Sequence, residues 1–215
     1  MSRESANSRQ MRTRIAQLAA RIMAEDGVAD FGLAKRKAAR QVGAPDTRNL
    51  PDNAEIEQAM IEYQQLYRAD EYSERLDRLR RDALSLMKLL DRFEPHLVGP
   101  ALSGSVGRYA DFDLHLFADN PKELELFFIN RGIPFRARES RYLVGGEART
   151  IPEYEVDFGT TGATLAVFSF DDIRRTIRSS AEGRPIERVK SAWVEEQLAA
   201  RPMQQTKFQG DPAEM

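Results

Sequence analysis

The sequence predicts an α+β fold in which an N-terminal helical region is followed by a β-sheet flanked by helices. Up to about residue 95, apolar side chains recur every three or four residues, which is the spacing of amphipathic helices. From Pro95 onward, short apolar and alternating segments appear, with one helical segment among them. The change in periodicity predicts a helical domain over 1–95, a sheet-containing domain over 96–171, and C-terminal helices and a tail over 172–215.

Composition excludes several classes of protein. The chain has 215 residues, of which 41% are hydrophobic, so it is long enough for one domain or for a smaller domain with a helical attachment. The 32 basic and 34 acidic residues nearly cancel, which argues against a strongly basic nucleic-acid binder. The absence of cysteine excludes disulfides, thiolate zinc sites and a cysteine nucleophile. No apolar run approaches the ~18 residues of a membrane span, so we expect a cytoplasmic protein without a membrane partner.

The N-terminal region reads as four helices. The first seven residues look unstructured, and an amphipathic helix then runs to about Asp26. A second helix over 31–41 carries a basic cluster that fits either a phosphate or RNA contact or an ordinary solvated face, formed by Lys35, Arg36, Lys37 and Arg40. Asp52 and Glu55 have the spacing of a capping box at the start of the third helix. A longer helix follows from about residue 70 to residue 93.

The segment 97–117, LVGPALSGSVGRYADFDLHLF, carries the chemistry. It combines a glycine-containing turn with a strand in which Asp111 and Asp113 share one face, because side chains alternate along a strand. The apolar residues of the same strand point to the other face and belong to the core: Phe112, Leu114 and Leu116. Carboxylate pairs of this kind bind Mg²⁺, which completes its shell with water and phosphates. His115 lies on the aspartate face and fits either a substrate contact or a structural hydrogen bond.

The following elements supply a third acid. Asn120 and Pro121 predict the start of a helix, and three strands follow over about 135–144, 151–158 and 163–170. In the second of these strands, Glu155 and Asp157 share a face and can meet the first two carboxylates across a sheet. Beyond the strands, Asp171 and Asp172 predict a short helix through Ile177. Pro185 predicts the start of another helix, and the residues from 201 onward read as a frayed tail.

These residues together resemble the nucleotidyltransferase superfamily with the polymerase-β-like fold. Val98 and Gly99 match the start of its motif, ten residues follow over 101–110, and Asp111-Phe112-Asp113-Leu114 completes it. Gly104 falls where small members of the family often have a second glycine. The resemblance covers about 96–170 and implies a mixed β-sheet flanked by helices.

The resemblance also implies an activity and a set of roles. It implies transfer of a nucleoside monophosphate from a nucleoside triphosphate, with ATP the expected nucleotide, to an acceptor that is a small molecule, a protein or an RNA end. Asp111, Asp113 and Asp157 would be catalytic and would hold two Mg²⁺ ions, and Asp157 is also a candidate base. The nucleotide-binding residues would be Gly99, Gly104, Ser105 and Arg108.

One departure from the family motif leaves a second interpretation open. The family has glycine or serine after the first glycine, whereas this chain has Pro100, which lacks a backbone N–H. The alternative is therefore a catalytically degenerate member that acts as a nucleotide sensor or a protein-interaction module. Taken singly, Asp111 also fits a turn cap and Asp113 an ion pair with an arginine. Glu155 and Asp157 fit cross-strand ion pairs on a solvated sheet face.

Overall fold

The protein is described by a computed structural model that covers residues 3–200, apart from 29, 46, 48, 68, 108, 109 and 180–183. Over these residues it is a mixed α+β fold with seven α-helices and one six-stranded sheet. The helices are α1 Arg3–Asp26, α2 Phe31–Gln41, α3 Asn53–Tyr67, α4 Ala69–Leu89, α5 Gly99–Ser103, α6 Lys122–Arg131 and α7 Ser191–Ala199. In the described part of the chain, no helix has both the length and the apolar character needed to span a membrane.

The strands are β1 His96–Val98, β2 Phe112–Phe117, β3 Phe135–Val144, β4 Glu147–Phe158, β5 Thr161–Phe168 and β6 Ile177–Ser179. Their order across the sheet is β1-β2-β5-β4-β3-β6. Strands β2 and β5 are parallel and every other neighbouring pair is antiparallel, so the sheet is mixed.

The two faces of the sheet are different. One face packs against α4, α6 and α7 in a hydrophobic cluster that includes the predicted core residues Phe112, Leu114 and Leu116. The opposite face carries Asp113 and His115, and a smaller apolar cluster lies toward its far end around Phe117 and Phe168. Helices α1, α2 and α3 form a separate cluster of their own. The sheet therefore has one apolar face for the core and one largely polar face.

Several local predictions are confirmed. The backbone N–H of Asp52 donates to Glu55 Oε2 at 2.7 Å, and the N–H of Glu55 donates to Asp52 Oδ1 at 2.9 Å, which is a reciprocal capping box. The side chain of Asn120 accepts from the backbone N–H of Lys122 at the start of α6.

Three predictions about element boundaries were wrong. Helix α1 begins at Arg3, so the backbone is already helical within the stretch expected to be unstructured. The helix expected from Asp171 through Ile177 is only a short 3-10 helix over Phe170–Asp172 that Ser169 caps, and Ile177 belongs to β6. The last helix begins at Ser191. The stretch before it is extended and pairs through Pro185 and Val189, and the predicted tail over 201–215 lies outside the described residues.

Candidate active site

Asp113 lies in the second position of β2, directly beside the glycine turn. In the sheet register it faces Val98 of β1 on one side and Thr164 of β5 on the other. The residue after Val98 is Gly99, whose φ of 66° is in the left-handed region that favours glycine. A methyl group at Gly99 would overlap the Asp113 carboxylate. The first glycine of the motif therefore allows the backbone of α5 to begin against this carboxylate.

Asp111 and Asp157 lie on either side of Gly162. The Oδ1 atom of Asp111 accepts a hydrogen bond of 3.0 Å from the Gly162 N–H, and Gly162 pairs with Asp157 of β4. A methyl group at Gly162 would come within 2.8 Å of the Asp111 carboxyl carbon. Both aspartates line one cavity of about 460 Å³. The register thus brings the third predicted acid to the same face as the other two, two strands away from Asp111.

Asp113 is in an environment that disfavours its negative charge. Burial raises its pKa to about 7, and the negative charges of Glu153 and Asp111 add to this effect. Arg138 opposes the shift, but less strongly. A divalent cation beside Asp113 would compensate for the loss of water and for the neighbouring negative charges.

Glu153 is a buried acid on the same face that the sequence analysis missed. It is 3% exposed and accepts hydrogen bonds from Arg138 Nε at 2.7 Å, Ser140 Oγ at 2.6 Å and Tyr142 Oη at 2.6 Å. Burial and the bond to Glu153 raise the pKa of Tyr142. The sequence did contain a signal for Glu153. In PEYEVD, acids occupy three alternate positions, which share one face of a strand, and Glu153 is the first of them.

Arg138 also forms an ion pair with Glu155, at 2.6 Å from Nη1 to Oε1. The cross-strand ion-pair interpretation is therefore correct for Glu155. Within the described residues, the ion pairs of Arg138 are with Glu153 and Glu155 and not with the three aspartates. This arginine consequently leaves the carboxylates of Asp111 and Asp113 available to another cation.

His115 lies two residues beyond Asp113 and is buried against aromatic rings. Its ring centroid is 4.7 Å from that of Phe168 and 5.9 Å from that of Tyr142. Burial, followed by the positive charge of Arg188, lowers the pKa of His115 to about 3, so the imidazole is neutral. Its Nδ1 atom has no hydrogen-bond partner among the described residues. His115 also borders a cavity of about 490 Å³ together with Asp113.

Three of the four predicted nucleotide-binding residues follow Pro100, which occupies the start of α5 without a backbone N–H to donate. Gly104 ends α5. The hydroxyl of Ser105 is 2.8 Å from that of Ser103, and Ser105 borders a cavity with Asp111 and Asp113. Arg108 lies outside the described residues.

Side chains from α3 and α4 hold the glycine-containing segment by its backbone carbonyls. Arg80 donates from Nε to Ala101 O at 3.0 Å and from Nη2 to Leu102 O at 3.3 Å. The Tyr72 hydroxyl donates to Gly104 O at 2.8 Å, and Gln64 Nε2 donates to Val106 O. These contacts were not predicted. A sequence signal existed for Arg80, which lies four residues after Leu76 on the buried stripe of α4.

Asp111 and Asp113 together offer the number of carboxylates through which one magnesium ion is commonly bound. Mg²⁺ usually binds through one or two carboxylates and keeps water or phosphate in its remaining positions. Asp111 and Asp113 provide two hard oxygen donors on one face, and the raised pKa of Asp113 fits a site that a cation would neutralise. Within the described residues, no group of three or more histidine and acidic side chains is arranged to hold a metal ion. Asp157 therefore does not complete a ready-made three-acid site in this arrangement.

The sequence matches no protein-family model, no curated protein and no solved structure.

Proposed function

We propose that this protein is a magnesium-dependent nucleotidyltransferase that moves a nucleoside monophosphate from a nucleoside triphosphate, with ATP the expected nucleotide, to an acceptor. The observation that carries this proposal is the placement of Asp111 and Asp113 on one face at the start of β2, with Gly99 directly against Asp113. This arrangement agrees with the resemblance of the segment around it to the polymerase-β-like superfamily.

Asp111 and Asp113 are the residues that would hold magnesium. The bound ion supplies positive charge that neutralises the phosphate oxygens during transfer. Gly99 carries no side chain, so the start of α5 lies directly against the Asp113 carboxylate. Ser105 borders the same cavity as the two aspartates and offers a hydroxyl to this region. The protein's main contribution is thus to position charge around the triphosphate.

Transfer requires an acceptor oxygen or nitrogen to attack the α-phosphorus. A bond from the acceptor atom to phosphorus forms as the bond to the pyrophosphate oxygen breaks, and the pair of electrons leaves with pyrophosphate. The acceptor proton goes to a base, for which Asp157 is the candidate, since it is exposed and lines one cavity with Asp111. Its exposure lets the proton pass on to water.

Isothermal titration with ATP, with and without Mg²⁺, tests the proposal. We expect metal-dependent ATP binding that is lost in Asp111→Ala. Glu139→Ala is the matched control, because it removes the same charge from an exposed position of β3 whose side chain points to the opposite face from Arg138. Absence of binding at millimolar concentration to ATP and, in parallel titrations, to each of the other nucleoside triphosphates would exclude the transferase.

A degenerate nucleotide sensor or protein-interaction module is the second candidate. Pro100 at the start of α5 favours it, because this position offers the phosphates no N–H donor. A sensor should bind ATP without releasing pyrophosphate in the presence of any acceptor. ATP binding that is independent of Mg²⁺ and unchanged in Asp111→Ala would favour this candidate over the transferase.

A further inference from the structure

A cavity of about 430 Å³ lies between the α1–α3 helices and the sheet, at Asp111 and Asp113. Its volume is within the range of small-molecule sites, which is about 300–1,000 Å³. The two carboxylates lie on the sheet side. The helical side is mostly apolar, through Met23, Val28, Phe31 and Met60, and also carries one acid, Glu57.

The side chains of this apolar wall are held in place by packing against the hydrophobic cluster of α1, α2 and α3. Met23 and Met60 are buried, and Phe31 and Val28 pack against the same cluster. Phe31 and Val28 nevertheless remain half-buried, so part of each side chain is open at the cavity. An aromatic ring held in this way offers a rigid surface on which a flat ring can stack.

The other two cavities at the aspartate pair have a different character. The cavity bordered by Asp157 is also lined by Arg136 and Glu155. The cavity bordered by His115 is also lined by Arg138 and Glu153. Each also contains an aromatic side chain, Phe135 in the first and Tyr142 in the second, but each borders only one of the two aspartates. Only the cavity at Phe31, among the described ones at the aspartates, combines an apolar wall with the two carboxylates.

We propose that the helical wall at Phe31 binds the base of the nucleoside triphosphate whose phosphates lie at Asp111 and Asp113. This inference rests on the proposed function. The base is a flat, uncharged ring that stacks on an aromatic side chain, while its triphosphate is anionic and carries magnesium to the carboxylates. The occupant that matches both walls is therefore a nucleotide, and the N-terminal helices form half of its site.

The test compares ATP with inorganic tripolyphosphate, each titrated as its magnesium complex by calorimetry. Tripolyphosphate has the anionic chain of ATP but no base. In Phe31→Ala we expect ATP to bind about tenfold more weakly, as for the loss of one stacking contact, and tripolyphosphate to bind within about twofold of wild type. Leu33→Ala is the matched control, because Leu33 is on the same helix and 40% exposed, and it does not line the cavity.

A second substitution guards against loss of folding. Phe31→Leu keeps an apolar side chain on the helical core but removes the aromatic ring, so it should also weaken ATP relative to tripolyphosphate. Thermal unfolding of each variant is measured alongside. An equal loss for both ligands, or unchanged ATP binding in both variants, would overturn the inference and leave the proposed function intact. A wild-type protein that binds neither ligand would overturn both.

Discussion

Strand β2 and helices α3 and α4 all contribute to the region around 99–107, but they contribute different groups. Strand β2 supplies the charged side chain of Asp113, against which Gly99 packs. The helices supply hydrogen-bond donors to backbone carbonyls, through Gln64, Tyr72 and Arg80. The sheet thus provides the groups that a ligand would meet, and these helices set the position of the segment beside them.

This difference separates two kinds of mutation. A change on the polar face of the sheet alters the charge that faces a ligand, and it need not alter the backbone. A change in α3 or α4 leaves the carboxylates in place and loosens the segment that packs against them. The sheet face and the two helices can therefore be tested separately. The affinity for ATP reports on both, whereas a change in the free energy of unfolding reports mainly on α3 and α4.

The largest expected effect is that of Arg80→Ala in the helical half. Arg80 is 5% exposed, donates to the carbonyls of Ala101 and Leu102, and lies 5.2 Å from the Trp193 ring centroid. Removing it leaves buried carbonyls without these donors, so we expect urea denaturation to show a loss of about 3 kcal/mol.

Arg81→Ala is the control for this substitution, because Arg81 is exposed on the same helix and should change stability by about 0.5 kcal/mol or less. In Arg80→Ala, the fraction that remains folded should also bind ATP more weakly. Unchanged ATP affinity would contradict the role given to α4, because the position of the 99–107 segment would then not depend on Arg80.

The next largest effect is the difference in stability and in ATP binding between Gly99→Ala and Gly132→Ala. Both glycines have a positive φ, 66° and 64°, so both substitutions should cost about 1–2 kcal/mol of backbone strain. Only Gly99 has a carboxylate in the place of the added methyl group, whereas the position beside Gly132 is open. Gly99→Ala should therefore be the more destabilising and should abolish ATP binding. Equal effects in thermal unfolding and calorimetry would show that Asp113 moves away freely.

On the polar face of the sheet, protonation of Asp113 should make the free energy of unfolding depend on pH. Its folded pKa of about 7 lies above its ordinary value of 3.8, so the folded state holds an extra proton between these values. The free energy of unfolding should therefore fall as the pH rises from about 4 to about 7, and this contribution is lost above pH 7. Asp113→Asn should remove that slope and stabilise the protein by about 1–3 kcal/mol at pH 8. An identical pH profile for the two proteins in urea denaturation would contradict the charge assignment.

The smallest effect is expected for Tyr72→Phe. The substitution removes one hydroxyl, which donates to Gly104 O at 2.8 Å in a buried position. The expected loss is about 1 kcal/mol by urea denaturation, with a small decrease in ATP affinity. Tyr67→Phe is the control, because Tyr67 is 68% exposed. If Tyr72→Phe changes neither the free energy of unfolding nor the affinity for ATP, the rest of α5 holds Gly104 in place.

The local elements were predictable because their causes are local. The capping box of Asp52 and Glu55 and the alternation of Asp111, Phe112 and Asp113 depend on residues a few positions apart. The polar face of the sheet followed from this alternation. The α+β fold followed in turn from the change of period near Pro95.

The features that the sequence did not predict depend on contacts between distant parts of the chain. Asp172 does not cap a helix, because Arg149, 23 residues away, pairs with its carboxylate. The contact between Asp111 and Gly162 spans 51 residues, and the register that produces it is set by the pairing of β2 with β5. Arg80 and Gln64 sit on apolar stripes, but their acceptors lie on a different element. No periodicity in one segment specifies a partner in another.

The short outer strands of the sheet have a consequence for association between copies of the protein. Strand β1 has three residues, and Leu97 exchanges backbone hydrogen bonds with Val189 on its outer side. Strand β6 also has three residues, and its Ile177 carbonyl accepts from the N–H of Ile186. Both outer strands are thus covered by the chain's own 185–189 segment. On the β6 side this cover is partial, because β3 pairs with β6 only through Tyr142, Leu143 and Val144. Among the described residues, 135–141 of β3 have no strand partner on that side, so a strand from a second copy would add there rather than at β1.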